Sequence, residues 1–362
     1  MKVENKTQIN TQIETLQMYE GAPWCLGRYE SFAVNKPQLI TLLGHDYVIW
    51  KDKEGNLNAL DNICPHAGSN LANGGYIVDF QGKSCLACPY HGNKVQFFGD
   101  GKAIIEGNIS RKPIQSVLPL KVIDGLVWTY GLHWEERRGE LVSEPIQPKI
   151  PIPDYTDIPF LPKYHSQLYV SKLNHIYSFT ESVNNNILRF IWNAHDGEHF
   201  AGIHRDSMLT KDIKIDNLIQ KDNQISWQLF LNKRNDKYAK NNKMSALVND
   251  VMIQCFNTFL PSLVVLTNEI AQGQLFVAVG YLYPESPTKT RFSLDAYFNF
   301  EYTWWHKLLR LPQLGNQFRD KVIGEDVSIV NNIYPTFNKK ISLKNDTPAE
   351  LAINYLKNWK YE

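Results

Sequence analysis

The sequence has no excess of charge of either sign. Its 38 Lys and Arg offset 37 Asp and Glu, leaving a net charge of +1. So even a balance supplies no field of the kind that gathers nucleic acid, and nucleic acid is excluded as a partner. Long apolar runs are also missing. No stretch of about 18 uncharged apolar residues occurs, so no membrane span is expected. The run from Leu260 to Thr267 is strand-sized and contains Pro261. Residues Met1 to Glu20 are polar and mixed in charge. They lack the apolar core of a secretion signal, so a cytoplasmic protein is expected. Cysteine is scarce: Cys25, Cys64, Cys85, Cys88 and Cys255 are the five. An odd, unevenly spaced set in a chain of 362 residues is no disulfide framework. Cys25 and Cys255 read as buried thiols. Cys64 and Cys88 differ because of their neighbours.

What is present is a globular composition, 43% hydrophobic and 12% aromatic, long enough for two domains. Residues 1–20 read as a polar extension. From 21 to 143 the chain reads as short strands broken by turns. Leu39 to Leu43, Tyr47 to Trp50 and Leu57 to Leu60 are β-rich, as is Val95 to Phe98. Leu118 to Ile123 and Leu126 to Tyr130 flank Asp124-Gly125, a type I′ hairpin dipeptide. Residues 144–165 read as a proline-rich linker or edge. Pro145, Pro148, Pro151, Pro153, Pro159 and Pro162 exclude helix and central strand there.

Residues 166–362 mix elements. Gln167 to Lys172 suits a strand, and Phe179 to Phe200 a helix that Asn184-Asn185-Asn186 weakens. Ile213 to Ile219, Gln224 to Leu231, Met252 to Leu260, Leu263 to Ile270, Gln274 to Tyr283 and Thr290 to Phe298 suit consecutive antiparallel strands. Asn232 to Lys243 reads as a mobile loop. Tyr302 to Leu311, Gln317 to Ile333 and Pro348 to Trp359 suit helices. Phe256, Phe259, Phe276 and Tyr281 are candidate pocket walls, although alternating apolar residues on strands are ordinarily core. Trp304 and Trp305 read as a buried helix face rather than a membrane-surface patch.

Two short stretches carry metal-binding chemistry. The first is Cys64-Pro65-His66 with Cys88-Pro89-Tyr90-His91. Soft thiolates and imidazoles delivered on two tight loops make a metal site. Gly68 and Gly92 free the backbone to curl around it. Zinc fingers usually offer paired cysteines, then paired histidines. Here each loop gives one Cys and one His, which fits two irons, one held by two Cys and one by two His. Cys85 with Cys88 is a weaker alternative pair. The loops and their β-rich surroundings resemble the Rieske domain. Ser69 and Tyr90 stand where cytochrome bc relatives carry bridging cysteines. The resemblance is therefore to the ferredoxin and oxygenase branch, with Asn93 where many oxygenases have Trp.

The second stretch runs Trp192-Asn-Ala-His-Asp-Gly-Glu-His-Phe-Ala-Gly-Ile-His-Arg-Asp206. It places Asp196, His199 and His204 as Asp-x-x-His-x4-His. Residues five apart share no face of a straight helix. His204 joins His199 only if the helix ends or bends near Gly202. Two imidazoles with a carboxylate and open positions make the facial triad of a mononuclear Fe(II) oxygenase. A competing pair, His195 and His199, has zinc-protease spacing but lacks the downstream context.

Together the two stretches resemble the catalytic subunit of the Rieske non-haem iron oxygenases, the ring-hydroxylating family. The resemblance implies an α+β chain, with an all-β Rieske domain followed by a helix-grip catalytic domain, an antiparallel sheet with helices. It implies a [2Fe–2S] cluster on Cys64, His66, Cys88 and His91, and Fe(II) on His199, His204 and a later helical carboxylate. That carboxylate is Asp326, or failing it Glu325, in Gly324-Glu325-Asp326-Val327. Asp196 matches the bridging acid, expected to bond its own His199 and His91 of a neighbouring subunit in a homotrimer. Ferredoxin or a ferredoxin reductase is the implied electron donor, and O2 with a small hydrophobic molecule the implied substrates. The outcome implied is hydroxylation or oxidative demethylation. A Rieske electron carrier without oxygen chemistry is the second reading, and a regulatory zinc protein a third.

Overall fold

Residues 24 to 145 form short strands between tight turns. The computed structural model describes residues 19–138, 140–156, 158–161, 167–205, 207, 210–235, 251–271, 273–299, 322–334 and 339–359. The chain divides into two compact units at Ile152/Pro153, inside the proline-rich stretch.

Among its described residues the first unit holds thirteen strands. They are β1 (Trp24–Arg28), β2 (Gln38–Leu42), β3 (His45–Lys51), β4 (Leu57–Asp61), β5 (Tyr76–Phe80), β6 (Lys83–Cys88), β7 (Gly92–Phe97), β8 (Ala103–Ile105), β9 (Asn108–Ile109), β10 (Lys121–Ile123), β11 (Leu126–Thr129), β12 (Leu132–Arg137) and β13 (Glu140–Pro145). They make sheets in the orders β1-β11-β10, β2-β3-β4, β5-β6-β7-β8-β9 and β12-β13. Asp124 and Gly125 both have positive φ, as the expected hairpin turn needs. Leu118 to Leu120 lie outside the strand expected there. Pro145 ends β13, whose one partner is β12, an edge position where the missing N–H costs nothing.

The second unit is built on one antiparallel sheet, ordered β14-β20-β19-β18-β17-β16-β15. Its strands are β14 (Asn174–Val183), β15 (Thr210–Lys221), β16 (Gln224–Lys233), β17 (Val251–Phe259), β18 (Leu263–Ala271), β19 (Gln274–Ser286) and β20 (Lys289–Phe298). The six strands expected from Ile213 onward all form. Helices α1 (Ile187–His195), α2 (His199–Gly202), α3 (Gly324–Asn332) and α4 (Thr347–Asn358) accompany them.

Two expectations fail at the start of this unit. Gln167 to Lys172 is not a strand: Val170–Lys172 is a single 3-10 turn. Phe179 to Val183 is strand, so the helix begins only at Ile187. The asparagine run explains the boundary. Asn186 caps α1, its side chain accepting the Arg189 N–H at 3.1 Å. Buried Asn185 donates to the carbonyls of Val330 and Ile333 at 2.8 and 2.6 Å, closing the end of α3. The run therefore starts one helix and stops another. The helices expected over Tyr302 to Leu311 and the first part of Gln317 to Ile333 lie outside the described residues. So do Trp304, Trp305, residues 1–18 and most of the Asn232 to Lys243 loop. Among the described residues, no helix is long and apolar enough to cross a membrane.

Candidate metal centres

The first centre grows from the hairpin joining β6 to β7. Cys88 ends one strand and pairs with Gly92, which opens the next, so Pro89-Tyr90-His91 is the turn. The other loop is tied on itself: Cys64 N–H donates to the Ser69 carbonyl and Gly68 N–H to the Cys64 carbonyl, both at 2.8 Å. Gln115 pins its approach by donating to the carbonyls of Asp61 and Ile63, each at 2.7 Å. Gly68 (φ 72°) and Gly92 (φ 56°) take the left-handed conformation that these turns demand.

Burial divides the four donors. Cys64 and Cys88 lie in the core beside Trp50, Leu71 and Phe97, whereas His66 is exposed and His91 half-buried. The imidazoles meet Nδ1 to Nδ1 at 3.1 Å. Burial pushes the Cys64 thiol above its ordinary pKa, while backbone N–H groups of His66 and Ala67 bond to its sulfur and pull the other way. Two buried thiols that interact with each other and two more exposed imidazoles that meet each other suit a cluster with cysteines on one iron and histidines on the other. The donor set fits a Rieske [2Fe–2S] centre. Cys85 points elsewhere in bonding terms, its sulfur lying 3.6 Å from the Lys83 carbonyl.

The second centre lies over the sheet of the other unit. Ligating atoms of His199, His204 and Asp326 fall within 4.8 Å of one another. α1 ends at His195, Asp196 turns the chain, and α2 begins at His199. Gly197 permits this, because a Cβ there would sit 2.6 Å from Ile215 Cδ1. After Gly202 the backbone tightens into the 3-10 turn Ile203–Arg205, which swings His204 back towards His199. The bend expected near Gly202 is present.

Asp326 Oδ1 is the focus. His204 Nε2 lies 3.1 Å from it, His199 Nε2 3.5 Å, and Asn193 Nδ2 donates to it at 3.0 Å. The other imidazole edges are fixed from behind. His199 Nδ1 bonds to the Asp196 carbonyl, and His204 Nδ1 to Glu325 Oε2 at 2.9 Å. Both Nε2 atoms are thereby turned to the shared space, the arrangement by which backing groups fix metal-bound histidines. Of the two candidate acids, Asp326 faces that space and Glu325 backs His204. Burial holds His199 down to about 4. Burial also works against His204, yet Asp326 and Glu325 on its two sides raise it above the ordinary value. Burial opposes ionisation of Asp326, but His204, His199 and Asn193 keep its pKa below the usual carboxylate range. Two imidazoles and one anionic carboxylate fit a mononuclear iron.

The expected contact between the Asp196 carboxylate and the His199 ring is not what forms. The backbone carbonyl of Asp196 takes Nδ1 instead. Its carboxylate caps backbone N–H groups, that of Glu198 at 3.0 Å and that of His199. Burial raises its pKa. Asn193 and Glu325 act at the centre in ways that spacing alone did not assign. Asn193 lies three residues before Asp196, one turn back on α1, which is the only trace it leaves in the sequence.

The competing His195–His199 pair does not meet. His195 is fully buried, with Nδ1 donating to the Ile191 carbonyl at 2.7 Å and Nε2 accepting from Thr258 Oγ1 at 2.8 Å. Burial pushes its pKa down to about 4. The unfolded chain takes this proton below about pH 6.5, whereas the native state refuses it until about pH 4. Stability from this group is complete above the higher value and falls away across that interval, by up to about 3 kcal/mol. His195→Gln should be less stable at neutral pH, yet its urea midpoint should fall less between about pH 7 and pH 5.

Glu325 yields a second expectation. Its Oε2 accepts from both His204 and Ser207, the latter at 2.7 Å. Glu325→Ala should weaken iron binding about 10- to 100-fold in equilibrium dialysis. Glu325→Gln should do less harm, since its amide oxygen still accepts from Nδ1.

A pocket enclosing about 890 Å3 of non-atom space, part of it open to solvent, lies beside the His199, His204 and Asp326 side chains. Its floor is one face of the sheet, supplied by alternate residues of β17, β18, β19 and β20 such as Phe256, Leu266, Ala278 and Phe292. Phe256 and Phe276 of the expected wall residues line it; Phe259 and Tyr281 belong to the opposite face. Among the described residues, this is where the sequence's aromatic and apolar alternation becomes a cavity rather than core.

A profile of the Rieske [2Fe-2S] domain family matches residues 23–113. The chain is 30% identical over 148 residues to the oxygenase component of a 3-ketosteroid-9-alpha-monooxygenase from Mycolicibacterium smegmatis, 39% of this chain and 32% of that one. It is 26% identical over 234 residues to a cholesterol 7-desaturase from Ciona intestinalis, 62% of this chain and 45% of that one. The chain thus spans less than half the length of these relatives. In fold it is similar to dicamba monooxygenase bound to dicamba, with TM-score 0.67, 17% identity and coverage of 94% and 97%. It is also similar to a quaternary ammonium Rieske monooxygenase, with TM-score 0.61, 15% identity and coverage of 94% and 88%. Residues 23–113 are a Rieske [2Fe-2S] domain, and the chain around them is homologous to, and folded like, Rieske oxygenase components.

Proposed function

We propose that this chain is the catalytic component of a Rieske non-haem iron oxygenase acting on a small hydrophobic, aromatic or polycyclic molecule. The observation that carries the reading is the His199, His204 and Asp326 set at the edge of an apolar pocket. A pure electron carrier has no use for it. When bound, the cluster relays electrons singly and the mononuclear iron is where O2 is activated. Cys64, His66, Cys88 and His91 hold the first group, and His199, His204 and Asp326 the second. The Asp196 carbonyl and the Glu325 carboxylate orient the two imidazoles. Phe190, Phe256 and Phe292 exclude water and seat the substrate by burial. The steroid relatives favour a polycyclic substrate, hydroxylated or dehydrogenated, over oxidative demethylation.

The same reading has a homotrimer in the cytoplasm fed by ferredoxin or a ferredoxin reductase. In it His91 would hold the cluster at its exposed rim, and Asp196 would stand between that imidazole and the His199 centre of the next subunit, so that electrons supplied by the cluster could pass there. Iron and sulfide counting tests the core of it. Three irons and two sulfides per chain are expected, with oxygen consumption coupled to turnover of a steroid panel when a reductase is supplied. Two irons and no turnover would support the carrier instead, and a colourless zinc-loaded protein would overturn both.

A further inference from the structure

Gly280 lies in the middle of β19, a central strand of the sheet, where glycine weakens the ladder and packs nothing. Glycine in a strand ordinarily marks a bulge, a left-handed backbone, the close approach of another backbone, or a ligand. The first three reasons are absent here. Gly280 pairs with Val264 on one side and Leu294 on the other, with no shift of register at it. Its φ is outside the left-handed region. A Cβ built on it would meet Phe292 Cε2 at 3.6 Å and the Val264 carbonyl oxygen at 3.8 Å, ordinary contacts that displace nothing. The fold would accept alanine. The fourth reason remains, because Gly280 lines the pocket. Helix α1 crosses the sheet over this position. Phe190 packs on Phe292 of β20, ring centroids 4.4 Å apart, and His195 Nε2 meets Thr258 of β17. Thr258, Val264 and Gly280 form one cross-strand row, so Gly280 lies between the two strands to which α1 is fixed. Between those anchors α1 turns Asn193 and Ala194 to the cavity, and Asn193 holds Asp326. The missing side chain deepens the floor beneath that span.

We propose that Gly280 is the specificity-determining residue of the pocket, its missing side chain making room for a thick, puckered, saturated fused-ring substrate. The proposal deepens the oxygenase reading and rests on it for the word substrate. A planar arene has flat faces and does not need the room. An alicyclic skeleton carries axial hydrogens and methyl groups on its faces. A side chain at position 280 and an axial methyl compete for the same volume. Close-packed walls answer an excess methyl with strain rather than by yielding. The surrounding wall is apolar, with Val264, Leu282, Phe292 and Leu294 lining the cavity about the gap. It buries a hydrocarbon face on every side of it.

The test pairs equilibrium dialysis of the fully loaded protein with urea unfolding. The probes are androstenedione, puckered with axial methyl groups, and pyrene, a flat fused-ring molecule. Gly280→Ala should keep or raise the unfolding midpoint, since alanine leaves the unfolded chain less freedom and meets only ordinary contacts in the fold. The same variant should bind androstenedione about 10-fold more weakly and pyrene within about twofold of the wild type. Gly280→Val should weaken androstenedione further. A lowered midpoint in Gly280→Ala with equal loss of both probes would mean that the glycine serves the fold, and would overturn the proposal. So would androstenedione binding that ignores both substitutions, or a wild type that binds pyrene and not androstenedione. Oxygen-dependent turnover is measured separately. Gly280-dependent binding without turnover leaves the slot standing and removes the oxygenase reading. Turnover of androstenedione indifferent to Gly280→Ala does the reverse.

Discussion

Asp326→Ala should remove the mononuclear iron and abolish turnover while leaving the visible and EPR spectra of the cluster unchanged. Iron analysis should drop from three to two per chain. The size of the effect follows from what converges on one atom. Oδ1 of Asp326 lies within reach of His199 Nε2, His204 Nε2 and Asn193 Nδ2. It supplies the one carboxylate among the three ligands, beside two imidazoles, and metal affinity depends on that ligand's charge. Deleting it leaves His204 paired only with Glu325 on its far edge. Asn193 is left with a buried, unpaired amide, a cost of about 1–3 kcal/mol. The cluster draws its ligands from the other compact unit, so its spectrum has no reason to move. Glu325→Ala is the internal control, expected to weaken iron without abolishing it. Full iron stoichiometry in Asp326→Ala would place the third ligand elsewhere and sink the assignment.

Much of this was legible in the chain, for a physical reason. A Cys-x-His and Cys-x-x-His pair is local chemistry, since ligands on one tight turn are adjacent whatever the rest of the fold does. The antiparallel strands from Ile213 to Phe298 were equally readable, because alternation of apolar residues reports the pleat directly. The failures lie where a side chain can serve the backbone in either of two ways. Asn184-Asn185-Asn186 lowers helix propensity in an interior but starts a helix at its end, and nothing in the triplet says which. Asp196 is the same ambiguity in a functional place. Spacing put it one turn from His199, yet whether the ring meets its carboxylate or its carbonyl depends on where α1 stops. The choice between Glu325 and Asp326 needed the direction of α3, which adjacent residues on a helix do not share.

Asp196→Asn should leave both metal sites loaded and slow turnover about 100-fold, an effect expected of a lost charge rather than a lost ligand. The structure makes this variant cleaner than spacing alone suggested. His199 is oriented by the Asp196 main-chain carbonyl, which the substitution leaves in place. The carboxylate caps the backbone N–H of Glu198 through Oδ1, and an Asn side-chain oxygen at that place keeps this cap. Fold, histidine geometry and iron content should therefore survive. What disappears is the half-buried negative charge proposed to stand between His199 and the cluster imidazole of a neighbouring subunit. The rate to follow is single-turnover oxidation of the pre-reduced cluster in the presence of O2 and substrate. Slow oxidation with intact iron and an intact cluster spectrum supports that placement. Asp196→Ala adds the loss of the cap, about 1 kcal/mol, and should show a lowered unfolding midpoint that Asp196→Asn does not. Wild-type oxidation in Asp196→Asn would reduce the residue to a capping role and require electrons to reach His199 by a path that does not use its charge.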